Sequence, residues 1–192
     1  MKTREETKAA NRGRLMDAAV HEFARHGFDV SLDQISARAN VTRGAFYVHF
    51  DDREALIVAV MNHVLGAFVT ALTGPVVEQL ELAMSIRLFI AAVKAKSPLV
   101  TGGAGLRFQH VLEACRRSKA IAATYRNLIA VARSAIIAAV RRGQAKNTIA
   151  AGRDPEGLAD LLVATVLGML AVNELELPVD LDRLELAMLA LL

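Results

Sequence analysis

The chain has 192 residues, 54% of them hydrophobic, with a formal net charge of +3. That length suits one globular unit or two small ones sharing a core, and the apolar content excludes intrinsic disorder. A lone Cys115 excludes an internal disulfide, and Met1-Lys2-Thr3-Arg4 leads into charge rather than an apolar leader, so the expected setting is a reducing cytoplasm.

Helical spacing dominates, so the predicted fold class is all-α. Leu15, Ala18, Ala19 and Phe23 form the apolar stripe of a first helix, which Gly27 can end as a left-handed cap. The basic residues Lys2, Arg4, Lys8, Arg12 and Arg14 lead into it, and as an arm they could reach DNA phosphates or the minor groove. Ser31 with Gln34 reads as a capping box opening a short second helix, Leu32 to Ala39. Asn40 tolerates a left-handed turn, Val41 can plug the corner, and Thr42 caps a third helix, Arg43 to Phe50. Asp51 with Glu54 reads as a further capping box.

From Ala55 to Val77 no Asp, Glu, Lys or Arg occurs over 23 residues, a stretch long enough to span a bilayer. Asn62 and His63 near its middle and the break at Thr73-Gly74-Pro75 favour instead a helix buried in protein, Ala55 to Leu72, and no membrane partner. A helical stretch follows with Leu80, Met84, Leu88, Phe89 and Val93, reaching Ser97-Pro98. The glycine-rich run 101–105 follows no strand and lacks phosphate-cradle spacing, so it reads as a loop. Helices are then expected from about Leu106 to Cys115 and from Ser118 to Arg142, the latter stopped by Gly143. Asp154 and Pro155 open a last long helix bearing Leu158, Leu161, Leu162, Thr165, Met169 and Val172, on which Ala164 and Gly168 permit close backbone approach. The helices near 118–142 and 155–175 would make a four-helix interface in a homodimer, or close the core of a monomer.

Charge is sharply partitioned. Residues 1–54 carry 9 basic and 9 acidic side chains, 94–153 carry 12 and 1, and 154–192 carry 1 and 8. Lys119, Arg126 and Arg133 recur every seven residues, as the solvent-facing row of a long helix would, partly neutralised by the acidic end. The rival reading is a funnel for an anionic ligand.

The segment Ser31 to Phe50, SLDQISARANVTRGAFYVHF, has helix-turn-helix geometry, two short helices across a tight turn, the second sized for a DNA major groove. Arg43, in its first turn, could fork onto guanine O6 and N7, and has no acid three or four residues away to occupy it. The longer stretch Arg14 to Leu56, RLMDAAVHEFARHGFDVSLDQISARANVTRGAFYVHFDDREAL, resembles the TetR/AcrR-type regulators almost throughout. That resemblance implies a DNA-binding domain over 8–68, with 31–50 as the helix-turn-helix proper, and an effector-binding and dimerisation domain over 69–192. It further implies a homodimer on a palindromic operator, usually a repressor released by an unknown small-molecule effector.

By position the resemblance assigns Ser31 and Thr42 to phosphate, Arg43 to a base, Gly44 to close approach and Tyr47 to phosphate. His49 matches a family histidine, and Arg53 a backbone-clamping lysine. Each has a plainer reading as cap or core, and for His49 packing is the preferred one. Asp51-Asp52 departs from the family pattern. In relatives the later helices enclose an effector pocket, for which Phe68, Met84, Phe89, Phe108 and His110 are candidates beside ordinary core packing. No catalytic or metal constellation is found: Cys115 and His110, five apart, cannot share a helix face, and no nucleophile elbow or zinc helix occurs. No cofactor is implied. The rival function with the same fold is an architectural or partner-regulated DNA-binding protein without an effector.

Overall fold

A computed structural model describes residues 3–73, 80–95 and 106–192, with the side chains of 68 and 71–73 outside the described set. The described residues form nine α-helices and no strand: α1 (Arg4–His26), α2 (Leu32–Arg38), α3 (Arg43–Tyr47), α4 (Arg53–Thr73), α5 (Leu82–Lys94), α6 (Phe108–Arg117), α7 (Lys119–Ala145), α8 (Pro155–Glu174) and α9 (Leu181–Leu189). The breaks expected at Gly74-Pro75, at Ser97-Pro98 and in the glycine run fall outside the described residues. The helices group into two compact units, one of residues 1–64 with 104–125, the other of 65–103 with 126–192. The first unit thus takes in α6, which an N-terminal boundary at 68 leaves out.

In the first unit, Thr3 caps α1 through a full capping box with Glu6, so the basic residues from Arg4 onward are the opening turns of a helix rather than a free arm. Leu15, Ala19 and Phe23 are wholly buried together with Ile35, Phe46, Leu56, Val60 and Met61. Each large apolar side chain so buried contributes about 1.5–3 kcal/mol. Phe28 meets the Phe23 ring edge-on at 5.0 Å, closing the corner after α1. Gly27 ends the helix at φ 74 and ψ −175, so glycine is required there, although the conformation is extended rather than left-handed helical. A single carboxylate ties α1 to α2: Glu22, nearly buried, faces Arg38 at 3.2 Å and His26 at 3.8 Å.

The second unit has its own core, in which Leu82, Ile86, Phe89, Ile90 and Val93 of α5 meet Val140, Ile149, Leu158, Leu162, Met169 and Met188. The buried face of α5 is therefore one step off the expected stripe. Leu80 precedes the helix, and Met84 and Leu88 are exposed at 44% and 51%. On α8, Leu161 is likewise exposed. Asp154 caps α8 through the amides of Glu156 and Gly157, with Pro155 in the first turn as expected. The sequence reading omitted α9, capped by Asp180 and held to α5 by Lys94 with Asp182 and Arg87 with Glu185.

Gly143 does not stop α7. The helix runs two residues further, and a β-carbon at Gly143 would stand 2.6 Å from Ile149 Cδ1. The chain turns at Asn147, φ 58, so that the amides of Thr148 and Ile149 return to the Gly143 carbonyl. The glycine is needed for close approach. Gly143→Val should destabilise the second unit by about 1–3 kcal/mol, as overpacking does; a denaturant midpoint unchanged from the parent would show that Ile149 can move aside.

Candidate nucleic-acid interface

The local structure of 31–50 follows from its caps. The Ser31 hydroxyl accepts from the Gln34 amide at 3.2 Å while the Gln34 side chain takes the Ser31 amide at 3.0 Å, the expected capping box. Asn40 adopts φ 52, the left-handed turn the sequence anticipates, and the Val41 amide donates back to the Ser36 carbonyl. Thr42 then caps α3, its hydroxyl accepting from the Ala45 amide at 3.1 Å. The helix is shorter than expected, ending at Tyr47; beyond it the His49 and Phe50 amides both return to the Phe46 carbonyl in a tightened turn. The cap of α4 is Asp52, which accepts from the Ala55 amide at 2.7 Å, one residue later than the Asp51–Glu54 box predicts.

This geometry turns Phe46 and Phe50 inward and leaves Arg43, Gly44, Tyr47 and Val48 outside. A β-carbon at Gly44 would meet only Thr42 Oγ1, at 3.9 Å, so the space outside it is open. Ser31 and Thr42 are exposed but serve first as caps. Two residues of this surface escape a search based on helical spacing. One is Val48, exposed at 61% beside Tyr47. The other is Asp33 of α2, whose carboxylate faces Arg43 Nη1 at 3.3 Å. The expectation that no acid occupies Arg43 is therefore corrected: the acid lies ten positions back, across the turn. A hydrogen bond to Tyr47, then the Asp33 charge, raise the Arg43 pKa above its ordinary value.

The remaining candidates lie deeper. His49 is half-buried with Nδ1 enclosed, and Lys8 and Arg12 of α1 stand near it. Arg12 also lies over the Phe50 ring at 5.3 Å. Arg53 is half-buried, its Nε and Nη2 shut off from solvent, rather than extended outward. The effector candidates are not gathered in one place. Phe89 is in the core of the second unit, Met84 is exposed on the same unit, Phe108 and His110 belong to the first, and the Phe68 side chain is outside the described residues. Among the described residues no group of three His, Cys, Asp or Glu side chains could hold a metal.

Two capped short helices set across a left-handed turn, with the second one's outer face polar, define a helix-turn-helix unit. Residues 15–60 match the family of bacterial regulatory proteins known as the tetR family. The chain belongs to the TetR family of transcriptional regulators. It is 44% identical over 61 residues to the HTH-type transcriptional regulator TtgW of Pseudomonas putida, a match spanning 31% of this chain and 45% of that one. The likeness to this curated relative thus covers less than half its length. Among solved structures, GusR of Salmonella enterica superposes with a TM-score of 0.77 at 26% identity, over 94% of this chain and 93% of its own. A SmeT–triclosan complex gives 0.70 at 28% identity, over 94% and 90%.

Burial, followed by the nearby charges of Lys8 and Arg12, lowers the His49 pKa below the ordinary imidazole value. The unfolded chain consequently takes up this proton more readily than the folded one, so stability is lost as pH falls through about 6.5. His49→Gln should lose less stability than the parent between about pH 7.5 and pH 5.5. Identical pH profiles by thermal denaturation would remove His49 as the cause.

Proposed function

We propose that the protein is a ligand-responsive, sequence-specific DNA-binding regulator of transcription, acting in the cytoplasm as a homodimer on a palindromic operator, most simply as a repressor released by a small molecule. The observation that carries this is the outward placement of Arg43, in the first turn of a capped α3, with Tyr47 one turn on. An arginine there can present its fork to guanine in a major groove, while Val48 offers an apolar contact for a thymine methyl group. Ser31, Thr42 and Tyr47 are the proposed phosphate contacts, Gly44 the point of close approach, and His49 and Arg53 supporting contacts at the edge of the surface.

Dimerisation is supported by the outer faces of α7 and α8. Although α8 is apolar enough to cross a membrane by composition, only 22% of its most apolar window is buried within the chain. Leu161, Ala164 and Gly168 lie exposed along it, with nothing within 4 Å of a β-carbon at Gly168, and Val131 of α7 is exposed at 47%. Small residues on an exposed apolar helix suit close packing against a second copy. Effector release is supported by the SmeT relative, whose structure is a complex with triclosan. In a dimer the two recognition helices must meet half-sites about 34–36 Å apart, so a ligand-driven shift of α4 would spoil simultaneous binding.

Selection of bound fragments from random duplex DNA tests the reading, with oligomeric state measured on the complex. The parent should select an inverted repeat and bind it as a dimer. Arg43→Ala should lose roughly five- to a hundredfold on that site and relax one base position, whereas uniform weakening on all sequences would refute base reading. Asp33→Asn, which removes a negative charge from the surface, should strengthen binding to every duplex and steepen its salt dependence. Binding without sequence preference would favour an architectural role.

A further inference from the structure

The first unit holds a cavity of about 200 Å³ on which none of the α3 contacts depends, walled by the turn after α1, the start of α4, and α6. Arg53 and His110 line it. The Nε and Nη2 atoms of Arg53 are enclosed and, among the described residues, meet no acceptor; Nδ1 of His110 is equally unpartnered. Enclosing charged donors without an acceptor is costly, and a binding partner would offset that cost. The two acids at the cavity, Asp29 and Glu113, are already engaged: Arg117 Nη1 lies 2.7 and 2.9 Å from the Asp29 oxygens, and Nη2 pairs with Glu113. Their charge is therefore spent on Arg117, and Arg53 is left as the cation with unmet donors.

The chemistry of those donors is specific. Nε–H and Nη2–H leave the same edge of the guanidinium in parallel, spaced to meet the two oxygens of one carboxylate. The rest of the wall is apolar, from Phe28, Ile57 and Ala114, which suits a short hydrocarbon body better than a fully hydrated anion. Drug-sized ligands occupy about 300–1,000 Å³, so the occupant is smaller than these. We propose that this cavity binds a small organic monocarboxylate, its carboxylate on the Arg53 fork, with His110 Nδ1–H as a further donor and the apolar body against Phe28, Ile57 and Ala114.

The consequence is regulatory and rests on the DNA-binding reading. Arg53 stands where the family resemblance assigns a clamp on backbone phosphate, and a carboxylate in the cavity would hold its guanidinium inward.

The test omits DNA, so its failure leaves that reading intact. The full chain, labelled with nitrogen-15, is titrated with butyrate and separately with inorganic phosphate at constant ionic strength, following the arginine Nε–H and histidine ring signals. Butyrate should shift the Arg53 and His110 signals saturably. Its affinity should fall at least tenfold in Arg53→Lys, which keeps the charge but loses the fork, and in Ala114→Leu, which fills the cavity while leaving Arg53 intact. Phosphate should bind at least tenfold more weakly than butyrate. A linear drift with butyrate, or undiminished binding in either variant, overturns the site, and phosphate binding as tightly as butyrate overturns the carboxylate assignment in favour of a bare anion.

Discussion

A helix of five residues cannot hold itself, because its first turn fixes several dihedrals for very few hydrogen bonds. Everything presented by α3 therefore depends on Phe46, which lies in the middle of that helix and is wholly buried. Phe50 stacks near it at 5.6 Å, and the Tyr47 ring meets it edge-on at 5.2 Å. The buried ring fixes the helix about its own axis, and the neighbours of Phe46 in sequence are thereby turned outward. Arg43, Gly44 and Tyr47 form one surface because Phe46 cannot leave the other. Thr42 sets where the helix begins and Asn40 sets the direction from which the chain arrives, so two polar residues and one aromatic ring define the recognition geometry.

Electrostatics then distributes the uneven charge of the chain. The basic middle and acidic end meet within the second unit, where Arg133 pairs with Asp160, Arg141 with Glu156 and Lys94 with Asp182. Its hydrogen bond to Arg133 lowers the Asp160 pKa below the usual carboxylate value. This arrangement favours the solvated-face reading of the basic row over an anion funnel for Arg133, although Lys119 and Arg126 remain exposed. Exposed pairs of this kind add little to stability. Their effect is to prevent a field of one sign, leaving the balanced N-terminal segment to bind DNA through placed groups rather than bulk charge.

What the sequence made legible was local. Capping boxes, the Asn40 turn and the Asp154-Pro155 helix start are written in adjacent residues, and the structure reproduces them. The errors arise where distant chain decides. The α5 stripe was misplaced because an all-round apolar helix such as LAMSIRLFIAAVK offers several faces, and only its partners select Ile86 and Ile90 over Met84 and Leu88. Gly143 was read as a stop because a glycine needed for contact with Ile149 looks the same in sequence as one needed for a turn. Asp33 escaped for a similar reason: it meets Arg43 across the turn, and helical spacing along α3 cannot show that contact.

The pairing of Arg43 with Asp33 bears directly on how such a surface could discriminate. A free guanidinium gains from almost any acceptor, whereas one already paired gains only by the difference between its new partners and its old ones. Asp33 and Arg43 are both mostly exposed, at 68% and 60%, so the pair is screened by water and yields readily to a better-matched acceptor. Guanine offers two acceptors in the plane of the fork and repays the exchange; a base with one misaligned acceptor does not, and Arg43 falls back on Asp33 and Tyr47. An acid that lowers affinity for every duplex thereby widens the gap between right and wrong ones, since specificity is a difference of affinities.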